Sequence, residues 1–187
     1  MIPRDITPHN GRFEGHTHYF ATRVYFEDTD FSGIVYHANY LRYMERARSD
    51  MLRCLGIDQR VTHDAGGGVY AVADMAIRFV RPAKMDDDLV VMSQVTKLRA
   101  AACSIHQRVI RSRQSVTDSL ETLVQADVTA AFINPAGRPI RQPRAWMEAF
   151  AAVLNPDQPS LIPTSHPQFR PAILDPDQPS LIPTSHP

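Results

Sequence analysis

The sequence predicts an α+β fold in which a curved antiparallel sheet of about five strands wraps around one long central helix. One strand-like segment precedes a long run with helical periodicity, and four strand-like segments follow it. Short links join those four segments, and consecutive strands with short links pair antiparallel. The chain has 187 residues, of which 43% are hydrophobic, so it is long enough to bury one core. We therefore expect a single catalytic or binding domain.

The first strand and the central helix are predicted at residues 18–27 and from Ala38 to Leu55. The former, HYFATRVYFE, is rich in aromatic and β-branched residues, which is typical of a strand. In the latter, apolar side chains recur at helical spacing and cover roughly half of the helix circumference. This apolar face comprises Tyr40, Leu41, Tyr43, Met44, Ala47, Met51, Leu52, Cys54 and Leu55. So wide a face predicts a helix that is mostly surrounded by other structure.

Four later segments have strand character and complete the predicted sheet. The clearest is 121–133, where apolar residues alternate with mostly polar ones from Val124 to Phe132. The others are 74–81, 88–98 and 102–112. NPAGRP then predicts a turn, and a short helix is predicted to begin after Pro143.

The chain divides into three parts by composition. Residues 1–17 form an N-terminal extension, 18–154 the folded domain, and 155–187 a proline-rich tail that contains nine of the fifteen prolines. The twelve residues PDQPSLIPTSHP occur at 156–167 and again at 176–187. Because the tail has few large apolar residues and no regular period, we expect it to be disordered. The repeat is either a duplication without function or a proline-rich docking segment.

Composition argues against several classes of function. Twenty basic residues balance twenty acidic ones, so no net field attracts nucleic acid or an anionic membrane, and no apolar run is long enough to span one. The N-terminus lacks the apolar run of a secretory signal. Cys54 and Cys103 form no C-x-x-C motif, which favours two reduced thiols and a cytoplasmic location. The segment HTH, from His16 to His18, has no third ligand placed by sequence, so we expect no metal site.

The stretch RVYFEDTDFSGIVYHANYLRYMERAR, residues 23–48, contains the candidate catalytic acids. Asp28 and Asp30 lie two positions apart, and each fits two interpretations, a catalytic carboxylate or the cap of a turn or helix. Glu45 is a second candidate acid at the edge of the apolar face. Arg48 lies inside that face, however, and a partly buried guanidinium needs a carboxylate, so an intrahelical Glu45–Arg48 pair, or its equivalent across subunits, is the alternative. The chain has no G-x-S-x-G elbow and no phosphate-binding loop motif.

This stretch resembles the signature of hotdog-fold thioesterases of the 4-hydroxybenzoyl-CoA thioesterase type, and most closely the bacterial branch associated with the Tol-Pal cell-envelope system. The matching residues are Arg23, Val24, Thr29, Asp30, Gly33, Ile34, Val35 and Tyr40. FVRPAKMDDDLVV and INPAGRPIRQP are similar to later parts of the same family, so the resemblance covers about residues 18–149. The tail has no counterpart in it.

The resemblance implies roles for individual residues. Asp30 corresponds to the catalytic carboxylate, and the backbone N–H of His37, at the start of the helix, corresponds to the group that polarises the thioester carbonyl. Gly33 provides the tight turn that lets the backbone come close. Tyr36 and Tyr40 are candidate substrate contacts, with a place in the core as the alternative for Tyr40. The resemblance also implies a homodimer or homotetramer with active sites between subunits.

The predicted activity is therefore hydrolysis of an acyl-CoA thioester to a free acid and CoA. Asp30 would act as nucleophile or as general base, and the residues leave both routes open. No cofactor is expected, because CoA is part of the substrate. One alternative is a hydratase or dehydratase that uses His37 with Glu45 across an interface, and another is a non-catalytic module that binds acyl-CoA or acyl carrier protein. A carboxylate beside the scissile bond favours hydrolysis.

The tail is predicted to be dispensable for the folded domain. A chain that ends at Asn155 should keep its melting temperature and its thioesterase activity nearly unchanged, because residues 156–187 lack core-forming side chains. Thermal unfolding and thiol release, measured side by side on the full and shortened chains, test this. A large fall in melting temperature on truncation would show that the tail packs against the domain.

Overall fold

The computed structural model describes residues 10–112 and 120–155, and its strands form one antiparallel sheet. The strands are β1 (Arg12–Glu14), β2 (Thr17–Arg23), β3 (Val69–Phe79), β4 (Asp88–Arg99), β5 (Ala102–Arg111) and β6 (Glu121–Ile133). They lie in the order β1-β2-β4-β5-β6-β3, so β3 forms one edge and the short β1 the other. The predicted α+β class is confirmed, with six strands where about five were expected. The proline-rich segment 156–187 lies outside the described residues.

The long helix α1 (His37–Cys54) packs against this sheet and lies within one residue of its predicted bounds at both ends. Two shorter helices follow, α2 (Gln59–Asp64) and α3 (Arg144–Ala152), the latter beginning after Pro143 as predicted. The predicted apolar face of α1 is buried at Tyr40, Tyr43, Met44, Ala47, Met51 and Leu52. Leu41 and Cys54 are exposed instead, the former at the margin of the face and the latter at the end of the helix. None of the helices within the described residues is both long and apolar enough to cross a membrane.

Strand β2 ends four residues before the predicted boundary. A 3-10 turn occupies Phe26–Asp28 in its place. The carboxylate of Asp28 accepts a hydrogen bond from the N–H of Tyr25, which removes that amide from the sheet. The Asp28 side chain thus binds a backbone N–H that strand pairing would otherwise use.

The other differences concern β3 and two short elements. β3 begins at Val69 rather than at 74, and a bulge between Val72 and Asp74 interrupts the alternation that would have marked its first half. Neither β1 nor α2 is predicted, because each is too short to show a period. β1 lies in the segment assigned to an N-terminal extension and pairs with β2.

A polar network lies within the interface between α1 and the sheet. Arg48 is buried, and its Nη1 donates to the side-chain oxygen of Gln107 on β5 at 2.7 Å. The amide nitrogen of Gln107 donates in turn to the carbonyl of Met44 at 3.1 Å and to the hydroxyl of Ser93 at 2.9 Å. Every partner lies on α1 or on a central strand, so this network fixes the position of α1 along the sheet.

We predict that Gln107→Leu lowers the free energy of unfolding by about 2 kcal/mol or more, because the buried guanidinium of Arg48 loses a neutral acceptor. Glu45→Gln, on the exposed side of the same arginine, should cost about 1 kcal/mol or less. Urea denaturation of both variants measures the difference. Equal losses would mean that Gln107 contributes no more than a surface contact.

Candidate active site

The loop that joins β2 to α1 is held together by Asp28, which is buried. Its carboxylate accepts from the N–H of Tyr25 at 2.9 Å. Its carbonyl accepts two further hydrogen bonds, from the N–H of Tyr36 and from the side-chain amide of Asn39, each also at 2.9 Å. A single residue therefore connects the start of the loop, its end and the first turn of α1. Asn39 is not among the predicted site residues, and its position near the start of α1 is the only local signal of this role.

Within the loop, Asp30 to Ile34 form a tight hairpin. The N–H of Asp30 donates to the carbonyl of Ile34 at 3.0 Å, and the N–H of Gly33 donates to the carbonyl of Asp30 at 2.9 Å. Gly33 has a φ of +72°, in the left-handed region. It is the residue that closes a three-residue hairpin loop. A Cβ at Gly33 would meet nothing within 4 Å, so glycine is favoured here by backbone conformation and not by a close neighbour in this chain.

The hairpin exposes the carboxylate of Asp30 and engages one of its two oxygens. Oδ1 accepts from the N–H of Ser32 at 2.8 Å, the capping contact that sequence analysis gave as the alternative to catalysis. Oδ2 has no hydrogen-bond partner among residues 10–112 and 120–155. The turn therefore orients the carboxylate and leaves one oxygen available to react with an incoming group.

His37 is the first residue of α1, directly after the N-cap residue Tyr36. The first N–H groups of a helix have no acceptor within the helix and carry a partial positive charge. The imidazole of His37 is exposed, with ring centroids 4.4 Å from Tyr36 and 6.3 Å from Phe79. Phe79 is the last residue of β3. No local sequence signal assigns it to this site, because the pairing of β3 in the sheet places it beside His37.

The two tyrosines predicted as candidate substrate contacts lie in different environments. Tyr40 is 2% exposed, and its hydroxyl accepts from the N–H of Ala83 at 2.7 Å. Burial raises the pKa of Tyr40, as expected for a core residue. Tyr36 is half-exposed beside His37 and remains available to a ligand. The core interpretation of Tyr40 therefore fits its position in this chain.

Glu45 is engaged in the ion pair that sequence analysis gave as the alternative to a catalytic role. Its carboxylate lies 2.6 Å from Nη2 of Arg48 and accepts from the hydroxyl of Ser49 at 3.0 Å. Glu45 follows His37 by eight residues, which places it about 12 Å along the helix axis. The predicted intrahelical pair is confirmed, and Glu45 lies well away from the start of α1.

A small cavity of about 60 Å³ lies beside this ion pair, between α1, β3 and α3. Its lining includes Met51, Leu52, Tyr70, Ile105 and Phe150 together with Glu45 and Arg48. This volume accommodates a few water molecules. The described part of the chain thus encloses too little space at this position for a large acyl group.

Comparisons with known proteins agree with this architecture. A family model described as the thioesterase-like superfamily matches residues 24–169. The acyl-CoA thioester hydrolase YbgC of Escherichia coli is 35% identical over 105 residues, which are 56% of this chain and 78% of that protein. A probable thioesterase from Bartonella henselae shares 36% identity at a TM-score of 0.62, over 68% of this chain and 99% of the solved one.

A third similarity concerns the fold alone. The 4-hydroxybenzoyl CoA thioesterase from Pseudomonas sp. strain CBS-3 superposes with a TM-score of 0.64 at 22% identity, over 71% of this chain and 98% of that one. The chain belongs to the thioesterase-like superfamily and has the hotdog fold. The resemblance found in the sequence, together with the thioester hydrolase class that it implied, is confirmed.

The hairpin geometry yields a prediction for Gly33. Gly33→Ala should lower the free energy of unfolding by about 1–2 kcal/mol, because a Cβ disfavours the left-handed conformation even where space is free. Gly33→Asn should cost less, since asparagine tolerates this conformation better. Chemical denaturation of the two variants provides the comparison. If alanine and asparagine cost the same, or alanine costs nothing, the strain argument fails.

Proposed function

We propose that this thioesterase hydrolyses acyl-CoA thioesters, with Asp30 as the catalytic carboxylate and the backbone N–H of His37 as an oxyanion donor. The observation that carries the proposal is that one loop, between β2 and α1, positions both groups. The loop fixed by Asp28 presents an Asp30 oxygen that has no partner among the described residues, and it leads directly into the first turn of α1. The activity of the Escherichia coli relative, an acyl-CoA thioester hydrolase, supports the substrate class.

Thioester chemistry requires little more than these two groups. The carbonyl is already electrophilic, and the departing thiolate has a conjugate acid of pKa about 8.5, so its expulsion needs little help from a general acid. Asp30 either attacks the carbonyl carbon to form a mixed anhydride or takes a proton from the attacking water. Both routes use the same free carboxylate oxygen.

Negative charge develops on the carbonyl oxygen during attack. An unpaired N–H at the start of α1, with the partial positive charge of the helix terminus behind it, would stabilise that charge. The imidazole of His37 is not needed for this role, because the donor belongs to the backbone. Replacement of the His37 side chain should therefore affect turnover less than replacement of the Asp30 carboxylate.

The hydratase alternative finds less support. It requires His37 of one subunit and Glu45 of another on opposite sides of the substrate, with the Glu45 carboxylate free to act as acid or base. That carboxylate is already engaged by the Arg48 guanidinium and the Ser49 hydroxyl.

We further propose that the chain forms a homodimer or a homotetramer through β3. This strand has eleven residues, lies at the edge of the sheet and pairs only with β6 among the described strands. Val72 and Phe79 on it are 40% and 48% exposed. A long apolar edge strand is a template for pairing with a second strand. A second subunit there would lie beside His37 and would supply further walls for a bound acyl group.

We also propose a cytoplasmic location. Cys54 and Cys103 are both free thiols, which suits a reducing compartment. The thioester substrate would then be an acyl-CoA or an acylated acyl carrier protein.

Asp30→Asn should reduce kcat by at least about 100-fold and leave KM nearly unchanged, because the amide keeps the shape of the carboxylate but is a poor nucleophile and base. Thiol release from a panel of acyl-CoA thioesters, including short aliphatic, long aliphatic and aromatic acyl groups, gives both constants.

Two further variants serve as controls. Asp28→Asn should act mainly through stability, and Glu45→Gln should retain most of its turnover, so melting temperatures must accompany the rates. Folded Asp30→Asn with near wild-type kcat, together with an inactive folded Glu45→Gln, would place the catalytic acid on the helix instead. A wild-type chain that releases no thiol from any member of the panel would favour the binding module.

Val72→Lys should weaken self-association, because it places a charge on the proposed pairing edge. Val61→Lys, at an exposed position on α2, is the matched control and should leave the mass unchanged. Light scattering at micromolar concentration should give at least a dimer for the wild type and the control. A monomer mass for the wild type, or an unchanged mass for Val72→Lys, argues against the β3 interface.

A further inference from the structure

Three potential metal ligands meet at the far end of α1. His18 lies on β2, Asp50 and Cys54 lie one turn apart on α1, and the side chains of His18 and Asp50 are almost completely buried. The Nε2 of His18 is 2.9 Å from Oδ2 of Asp50, and the Sγ of Cys54 is 3.7 Å from that oxygen and 3.9 Å from Nε2. We call these three residues the His18–Asp50–Cys54 cluster. The sequence places no third ligand near HTH, but the packing of β2 on α1 brings Asp50 and Cys54 to His18.

The spacing of these atoms suits a metal ion. The three separations define a triangle whose circumscribed circle has a radius of about 2.1 Å. An ion near its centre would therefore lie close to the zinc distances of about 2.0–2.2 Å for nitrogen and oxygen and about 2.3 Å for sulfur. Small movements of the cysteine side chain, which is on the exposed side, would complete the fit.

The surroundings hold the ligand atoms in place. The N–H of Gly11 donates to Oδ2 of Asp50 at 2.8 Å, which orients the carboxylate. The carbonyl of Gly11 accepts from the thiol of Cys54 at 3.6 Å and so also borders the cluster. A Cβ on Gly11 would approach Oδ2 of Asp50 and Nε2 of His18 to 2.6 Å, so only glycine lets the backbone lie this close to the cluster.

We propose that the His18–Asp50–Cys54 cluster binds one Zn²⁺ ion. Imidazole, carboxylate and thiolate together select zinc over magnesium or calcium, which prefer oxygen ligands alone. On binding, the Cys54 thiol releases its proton to solvent, and the imidazole keeps its proton on Nδ1, a buried atom with no acceptor among the described residues, so that the Nε2 lone pair faces the metal. The ion would connect β2 to the end of α1.

The proposed site is separate from the candidate active site. Asp50 follows His37 by thirteen residues on the same helix, which is about 20 Å along the axis. Zinc bound there has a stabilising role and does not touch the thioester. The competing interpretation is a metal-free hydrogen-bond network, in which Oδ2 of Asp50 simply accepts from His18, Gly11 and Cys54.

Zinc titration of the full chain, after removal of bound metal with a chelator, tests the proposal. The wild type should bind one equivalent of Zn²⁺ in competition with a chromogenic chelator, and its melting temperature should rise with Zn²⁺ concentration. Cys54→Ser and His18→Gln should each weaken this binding by at least about 100-fold. Co²⁺ in place of Zn²⁺ should give the absorption of a thiolate–cobalt bond, which Cys54→Ser should abolish.

His63→Gln and Cys103→Ala are the matched controls, because they remove the same ligand types outside the cluster, and both should retain wild-type zinc affinity. Cys54 is exposed, so Cys54→Ser should fold even if the buried His18→Gln does not. Absence of zinc binding by the folded wild type, or wild-type affinity in Cys54→Ser, would overturn the proposal in favour of the metal-free network.

Discussion

Two hydrogen bonds to the carbonyl of Asp28, from the N–H of Tyr36 and from the side chain of Asn39, determine how the candidate site is arranged. They bring the chain back onto itself just before α1, while the Asp28 carboxylate holds the preceding turn. These contacts constrain the residues between them to form the short hairpin that carries Asp30. Asp28 is thus the buried acid that builds the site, and Asp30 is the exposed acid that can react.

A second constraint, at the middle of α1, explains why the other acid of this region has a different role. Arg48 is buried between the helix and the sheet, where an unpaired guanidinium would be costly. Gln107 satisfies it from the inside and Glu45 from the outside. The carboxylate of Glu45 is therefore committed to charge compensation. Burial therefore decides the role of each acid in this helix and loop, because each buried charge or amide pairs with the nearest oxygen.

Much of this architecture follows from local pattern, and the rest depends on contacts between distant residues. The wide apolar face predicts α1 to within one residue, and alternation predicts β6 with the bounds 121–133 that the structure has. The bulge in β3 hides the first half of that strand, and the brief β1 and α2 have no period to detect. The acids of residues 28–30 drew attention to the loop before α1, but the inward direction of Asp28 and the position of Phe79 beside His37 depend on tertiary packing. The meeting of His18 with Asp50 and Cys54 was unpredictable for the same reason, because it requires knowing which strand lies beneath the end of α1.

The central claim, that Asp30 and the His37 amide act on one carbonyl, is tested most directly by a crystal structure with a non-hydrolysable acyl-CoA analogue in which methylene replaces the thioester sulfur. We expect the carbonyl oxygen within about 3.2 Å of the His37 backbone nitrogen, and an Asp30 carboxylate oxygen, or a water bound to it, within about 3.5 Å of the carbonyl carbon. A carbonyl bound beside Glu45, out of reach of both groups, would contradict the account.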